Sequence, residues 1–491
     1  MAPNAAAPTH LHDLFYQYFY ALPLVGLLTY VVYQRCLSPL AGIPGPFLAS
    51  LTNFWMVRSM SRGDLNVYLK QLHDKYGATL RIGPNEVSVT DLAAFRIIYG
   101  SASKFKKGRW YEVIKGHREF DIFGVQDIKT HTQQRKLTAR AYTMESLKDL
   151  EPYVDNAIEV FMGKMKEQID KKIDMGYWIQ LFAFDVIGEI TWSKSFDYMS
   201  RANDFGTFKA VAGIIESAAW LGYVPWLFWA HDCLMPLIGN WFAVNNRHGS
   251  IRDFALRETE ARKVKPAEKK DIIGRLLDTH AQKPGEFPYS SVISMGATNV
   301  TAGSDTTAVT TRAVLYHLLR NPSTKQKLVA EIDDLRRRGQ LSNPVRWSEA
   351  NNMKYLQAVL YEGTRIHPAV GMNLPRVVPE GGIDINGTYI PAGYTVSTSA
   401  WVLHRNTDVF GPDAAEYNPE RWLQDDVGDM HRYLFSFGSG ARSCIGKNIS
   451  WLEMSKLIPT LFLRYDVELW DGKPWTEECL YVLPDEVEGL K

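Results

Sequence analysis

Phe435–Lys447 reads FSFGSGARSCIGK. Three glycines, one arginine and one cysteine crowd into this loop, ahead of a helical run. Such a loop cradles a phosphate or holds a metal, and spacing tests the first option. A P-loop is G-x-x-x-x-G-K-[ST]. Counting back from Gly446-Lys447, the first glycine position is Ala441, and the residue after the lysine is Asn448. A dinucleotide loop is G-x-G-x-x-G inside a βαβ unit. Gly438 and Gly440 fit it, Ser443 does not, and no βαβ pattern surrounds them. Attention therefore falls on Cys444. It sits where a helix begins, and free backbone N–H groups and the positive end of the helix dipole favour a thiolate there. The glycines let the backbone approach a flat, bulky group. Arg442, two residues away, is placed to pair with a carboxylate.

A lone thiolate, an arginine and a close-approach loop suit a haem, with iron on sulfur and a propionate on arginine. Two other readings stand beside it. One is an inert buried cysteine; the other is a thiol nucleophile, whose His partner the sequence does not assign. The chain of 491 residues has only Cys36, Cys233, Cys444 and Cys479, none at C-x-x-C spacing. Neither a zinc knuckle nor a disulfide framework is suggested. With 46% hydrophobic and 22% charged residues the chain can build a large core. A net charge of +1 implies no nucleic-acid partner.

Leu14–Tyr33 (LFYQYFYALPLVGLLTYVVY) carries no charge over 20 residues. As a helix it spans roughly 30 Å, the thickness of a bilayer core. Its ends are aromatic, no Lys or Arg precedes Arg35, and Arg58 and Arg62 follow. The positive-inside rule then places the body in the cytosol. A cleaved signal peptide is the rival, but the basic n-region is missing and the apolar run is long. A buried core helix is the other alternative. Ser38–Phe47 (SPLAGIPGPF), with three prolines and two glycines, reads as a stiff non-helical hinge. The expected organisation is a lumenal tail (1–13), a transmembrane anchor (14–33), a proline-rich hinge (34–50) and one catalytic body (51–491).

The body begins with a β-hairpin over Thr79–Thr90 (TLRI, GPN, EVSVT). Asp91 then caps a short helix, DLAAFRIIYG. From about Ile128 to Asn321 the period is mostly helical, as in LEPYVDNAIEVFMGKMKEQI and SVISMGATNVTAGSDTTAVTTRAVLYHLL, and Pro322 stops the second run. A second β-region, GGIDINGTYIPAGYTVSTSAWVL, holds the hairpin signal Asn386-Gly387. A last helix starts at about Ile445. The pattern is mostly α, an α+β body with small sheets.

The run Phe437-Gly438-Ser439-Gly440-Ala441-Arg442-Ser443-Cys444-Ile445-Gly446 resembles the haem-binding signature of the cytochrome P-450 family, F-G-x-G-x-R-x-C-x-G, at every fixed position. Other motifs of that family follow the same order along the chain. Ala302-Gly303-Ser304-Asp305-Thr306-Thr307 resembles the oxygen-activation motif A-G-x-D-T-T. Small and polar residues mid-helix disturb the hydrogen-bond ladder, and a groove there admits dioxygen and water. The plainer reading is a helix packed closely through small residues. Glu362-Gly363-Thr364-Arg365 puts an acid and a base on one helix face. With Asn418-Pro419-Glu420-Arg421-Trp422 it is similar to the family's structural triad, here Glu362, Arg365 and Arg421. His131-Thr132-Gln133-Gln134-Arg135 stands where the family often has W-x-x-x-R, with His in place of Trp. Arg376, in Leu374-Pro375-Arg376, matches another propionate contact.

The resemblance implies a cytochrome P-450 fold with haem b between two long helices, behind an N-terminal transmembrane helix. It implies Cys444 as the axial ligand of the haem iron. Arg135, Arg376, Phe437, Gly438, Arg442, Gly446 and His131 would bind the cofactor, and Asp305 and Thr306 would be catalytic. Electrons would come from NADPH through a separate flavoprotein, NADPH–cytochrome P-450 reductase, docking on a basic face with Lys447, Lys136 and Lys129. Phe184–Met199 (FDVIGEITWSKSFDYM) and the PERW ending look like the fungal microsomal branch, similar to pisatin demethylase-type members. The implied activity is a monooxygenase of the endoplasmic reticulum membrane that hydroxylates, epoxidises or O-demethylates a lipophilic small molecule in secondary metabolism. Detoxification and reductase-independent isomerisation or dehydration are the alternatives within the chemistry; a membrane-anchored binding protein with a degenerate haem site is the alternative outside it. The aromatic stretch within Phe205–Phe242 points to core or, by the resemblance, to a membrane-side substrate entrance with Trp226 and Trp229. Lys104–Val125 would supply another pocket wall.

Overall fold

The computed structural model describes residues 10–239, 244–264 and 271–469. Cys479, positions 1–9 of the expected tail and positions 240–242 of the aromatic stretch lie outside the described residues. Cys36 and Cys233 are free and exposed.

Helix α1 (His10–Val32) runs on through a π-turn, Tyr33–Leu37. Among the described residues no single helix is long and apolar enough to cross a membrane, and the apolar helical run at this end is Ala21–Leu37. The chain after it is held tightly. Arg81 is 1% exposed and donates to Gln34 O at 2.8 Å, Gln34 Oε1 at 2.6 Å, Leu40 O at 3.3 Å and Pro84 O at 2.9 Å. A buried guanidinium needs such partners, because leaving its N–H groups bare costs the full desolvation penalty.

Helix α2 (Phe54–Arg62) leads to the expected hairpin, β1 (Thr79–Gly83) antiparallel to β2 (Glu86–Val89). Asp91 caps α3 (Leu92–Tyr99), accepting from Ala94 N at 2.7 Å. Strand β3 (Lys106–Lys107) comes next, then α4 (Ile128–Thr138), α5 (Glu151–Glu167), α6 (Met175–Trp192), α7 (Thr207–Leu221) and α8 (Pro225–Ile238). The long helix α9 (Tyr289–Arg320) ends one residue before Asn321, because a residue that precedes proline is pushed out of the helical region. Helix α10 (Lys354–Ile366) precedes β4 (Arg376–Val377), β5 (Ile383–Ile385), β6 (Thr388–Ile390) and β7 (Thr395–Ser397). The larger sheet has the order β1-β2-β7-β4-β3, with β2 and β7 parallel. The turn between β5 and β6 has Asn386 at φ 52° and Gly387 at φ 79°, as an Asn-Gly hairpin requires.

Helix α6 is buried on nearly every side, so it reads apolar all round. It lies along α9. A Cβ on Gly303 would stand 2.8 Å from Ile187 Cδ1, so a larger residue there would make the Ile187 side chain shift. The last helix, α11 (Lys447–Arg464), starts two residues after the expected Ile445. The reason is local: Cys444 N–H closes the loop by donating to Phe437 O at 2.7 Å, and Gly446 caps the helix.

Glu453 of α11 is 1% exposed, and neither carboxyl oxygen has a hydrogen-bond partner among the described residues. Burial pushes its pKa well above the usual 4.5. The folded protein thus holds a proton that the unfolded chain releases. Stability from this group is present below the unfolded value and falls by about 1.4 kcal/mol per pH unit above it, until the folded pKa is reached. Glu453→Gln removes the titration. Its Tm is expected to gain on the parent protein between roughly pH 5 and pH 8. A pH-independent Tm difference would show that Glu453 ionises without cost.

Candidate active site

The cysteine loop is assembled from both ends of the body. Gly438 and Gly440 take φ of 67° and 60°. A Cβ on Gly440 would meet Tyr99 O at 2.4 Å, so the left-handed turn and the close approach both demand glycine. Arg442 donates to Val125 O at 2.8 Å and Gln126 O at 2.7 Å, and Arg135 of α4 donates to Ser443 O at 2.6 Å. Phe437 packs edge-on against Trp451 of α11.

Protein encloses Cys444, yet its side chain keeps accessible surface, so the sulfur looks into an interior cleft. Burial pushes the thiol pKa up. Against burial act the N–H groups of Gly446 and Lys447 and the charges of Arg135 and Lys447. The helix start lowers the pKa as expected but is outweighed, so a cation on the sulfur is needed to hold the thiolate. A Cβ on Gly446 would touch nothing within 4 Å except Cys444 Sγ, at 3.9 Å, so the space beside the sulfur lies open there.

Around Arg442 of the cysteine loop and Arg135 of α4 the structure gathers further cations. Arg376 and Lys107 are direct cross-strand partners in β4 and β3, and like charges in that position repel. Both are buried. Arg376 donates to Tyr111 Oη at 3.2 Å, and the Lys107 ammonium donates to Phe123 O and lies over the Tyr111 and Phe123 rings. Burial, then the charges of Arg376 and Arg442, hold the Lys107 pKa well below its usual value; of its neighbours only Asp121 opposes them. His131 is 3% exposed, and burial, then Arg442, Lys107, Arg135 and Arg376, push its pKa down to about 3. It is a neutral imidazole. Lys107, Arg376, Arg442 and Arg135 thus gather around the neutral His131, and none of the four makes an ion pair with a carboxylate among the described residues.

Asp305 and Thr306 of α9 point differently. Thr306 Oγ1 donates back to Ala302 O at 2.6 Å, which loosens the helix ladder there. Asp305 is 1% exposed and turns toward α6, accepting from Gln180 Nε2 at 2.8 Å. Its second oxygen is buried with no hydrogen-bond partner among the described residues. Gln180 in turn accepts from Arg312 Nη2 at 2.6 Å, and Arg312 Nε donates to Gly176 O at 2.9 Å. Burial raises the Asp305 pKa to about 6; the Gln180 bond and the Arg312 charge oppose it. Gly303 faces the Ile187 side chain of α6.

Behind the loop, Glu362, Arg365 and Arg421 meet in the core, all buried. Arg365 grips the carboxylate with Nε at 2.8 Å and Nη2 at 2.7 Å, and Arg421 Nε reaches Oε1 at 3.1 Å. Trp422 Nε1 adds a donor at 2.9 Å and Asn418 N one at 2.8 Å. Sequence reasoning missed Lys107, Gln180, Arg312 and the Trp422 donor. Their partners are remote in sequence, and only the Lys107–Arg376 strand register would have revealed the first.

The family model described as Cytochrome P450 matches residues 43–487. The chain is 38% identical to cytochrome P450 monooxygenase hepC of Aspergillus oryzae, over 94% of this chain and 96% of that protein. It is 34% identical to cytochrome P450 monooxygenase cicH of Emericella nidulans, over 95% of each. It is 32% identical to a pisatin demethylase of Fusarium vanettenii, over 94% of this chain and 90% of that protein. Similarity of this extent, along with the cysteine loop and the triad in one core, makes the chain a member of the cytochrome P450 family, a haem-thiolate monooxygenase.

Proposed function

We propose that the protein is anchored in the endoplasmic reticulum membrane and oxidises a lipophilic small molecule in fungal secondary metabolism. One observation carries the reading of the site: an enclosed sulfur with accessible surface stands in a loop whose Arg442, with Arg135, meets the buried Lys107 and Arg376, and none of these four pairs with a carboxylate among the described residues. Haem b fits that arrangement. Cys444 would hold the iron, and Arg135, Arg376, Arg442, His131 and Lys107 would hold the propionates. Phe437, Gly438 and Gly446 shape the loop against its flat face. When bound, haem supplies the oxygen-activating iron, which a thiolate ligand tunes toward O–O cleavage.

The chain's own residues handle protons and access. Asp305, with a pKa near 6, holds or releases a proton close to neutral pH. Gln180 and Arg312 orient its carboxyl, and the Thr306 hydroxyl stands next to it on the disturbed turn. This acid–alcohol pair favours oxygen chemistry over a reductase-independent rearrangement. Electrons come from NADPH through a separate flavoprotein reductase. Lys129 and Lys136 on α4 and Lys447 on α11 are exposed around the cysteine loop and form its docking face. The relative named pisatin demethylase is the support for keeping O-demethylation beside hydroxylation and epoxidation.

For the membrane, α1 is the anchor and the bend between α7 and α8, at 119°, is a second contact. Trp226 is 60% and Leu237 84% exposed there, and Asn53 Nδ2 donates to Tyr223 O at 3.1 Å, bringing exposed Phe54 alongside. Trp229, the other tryptophan of α8, is less exposed. It is half-buried and reaches Glu112 Oε2 at 3.4 Å.

Deleting the gene in its host and comparing metabolite masses tests the function. A lost product one oxygen heavier than an accumulated precursor supports hydroxylation or epoxidation, and a loss of CH₂ supports demethylation. Products formed without NADPH would overturn the reductase-dependent reading. Lys107→Met is expected to speed haem loss by about tenfold, the scale of one charge-assisted hydrogen bond. The haem-free protein should at the same time become no less stable, because a repelled buried cation is gone. Asp305→Asn should slow turnover by roughly 10² with the reduced CO spectrum unchanged. Gln180→Leu should move the pH–rate inflection near 6 to higher pH, because the bond it removes lowers that pKa. Trp226→Glu in a form beginning at Gln34 should weaken vesicle binding about tenfold, measured by flotation.

A further inference from the structure

His404 carries no role in the chemistry above, yet it stands between the buried ion pair and the cysteine loop. It is 0% exposed. Phe435 N–H, at the mouth of the loop, donates to His404 Nε2 at 2.7 Å. On the other edge of the ring, Nδ1 lies 2.8 Å from Arg365 O. A carbonyl only accepts and an amide N–H only donates, so the ring has one possible form: neutral, with the proton on Nδ1. Burial and the nearby Arg365 charge keep it so, with a pKa pushed down to about 3. The bond is returned, since Arg365 Nη1 donates to His404 O at 2.8 Å. Arg365 and His404 are therefore clasped in both directions, and Arg365 is itself gripped by Glu362.

We propose that His404 is the positioning residue that passes the rigidity of the Glu362–Arg365 pair into the cysteine loop and so fixes where Cys444 stands. The connections are continuous. Phe435 is held by His404, and Gly438 N–H donates to Phe435 O at 2.9 Å, setting the first turn of the loop. Ser436 Oγ donates to Thr364 O at 2.6 Å, a second tie to α10. The next residue, Phe437, accepts from Cys444 N–H. Phe435 itself is 2% exposed and packs on Phe95 and Tyr99, so its N–H has no water to turn to if the imidazole is lost. A loop released at Phe435 keeps its glycines and its cysteine but loses its register toward the sulfur.

The test compares His404→Gln with His404→Met in the full-length, haem-loaded protein. The two side chains have equal length, but only Gln offers Phe435 N–H a good acceptor. Among haem-loaded molecules, Gln should keep the red-shifted reduced CO band of a thiolate ligand. Met should lose about half of it or more, and its Phe435 amide should exchange about tenfold faster with deuterium. A purely structural role would lower the yield of loaded protein and leave the band of the remainder unchanged. Equal bands in the two variants, or unchanged exchange in Met, would overturn the proposal. If Met yields no loaded protein, exchange in the parent decides: protection of Phe435 matching the Arg365 segment supports the coupling, and exchange as fast as exposed loops sinks it. The proposal rests on the haem-thiolate reading, and a parent protein without the thiolate band would remove that reading rather than the coupling alone.

Discussion

The carboxylate of Glu362 is the point on which the rest of the structure leans. It is fully buried, and five donor groups from α10, Asn418 and the Arg421-Trp422 segment converge on it. A charge taken out of water survives only when nearly every lone pair is filled. Breaking such a network by removing one partner costs roughly 3–5 kcal/mol. The network therefore behaves as a rivet. It pins α10, the stretch Phe410–Glu416 through the carbonyls that both arginines engage, and the segment that enters the cysteine loop. A surface pair with the same i, i+3 spacing would do none of this.

The opposite electrostatic arrangement governs the cleft. There the cations are concentrated and their counterion is left out. Lys107, Arg376, Arg442, Arg135 and His131 each lower the proton affinity of another member of the group or have their own lowered by burial. A protein that folds with such a cluster is partly frustrated until an anion arrives. That frustration is affordable only because the arginines and Lys107 also donate to backbone carbonyls or to Tyr111. The same donors hold the loop in shape, so binding and scaffolding are carried by the same side chains. Around Asp305 the balance differs again: one oxygen is satisfied and one is not, a buried, half-satisfied acid poised near neutrality.

The fold was legible where the signal is local. The Asn386-Gly387 turn, the Asp91 cap and the stop at Pro322 each follow from one or two residues and their backbone preferences. The cysteine loop was legible because its spacing is rigid and its glycines have no substitute. What stayed hidden depends on residues far apart in the chain. Nothing in the run Lys104–Trp110 marks Lys107 as special until β3 lies against β4. Gln180 and Arg312 acquire meaning only when α6 and α9 touch. The start of α11 was misplaced by two residues because the loop spends its first N–H on Phe437 instead of the helix. That Gly303 faces Ile187 is likewise invisible until α6 lies along α9.

The clasp of Arg81 on residues Gln34–Leu40 bears on how the protein can be shortened. The linker after α1 looks expendable by composition, a proline-rich strip between that helix and the body. In the folded protein it is the lid of a buried guanidinium. A truncation that begins at Gln34 keeps the carbonyls of Gln34 and Leu40 in place. One that begins after Leu40 strips them away and opens that side of Arg81 to water, leaving Gly83 O and Pro84 O as its protein acceptors. A version cut there loses contacts that belong to the folded body, and the packing of that body extends upstream of the prolines to Gln34.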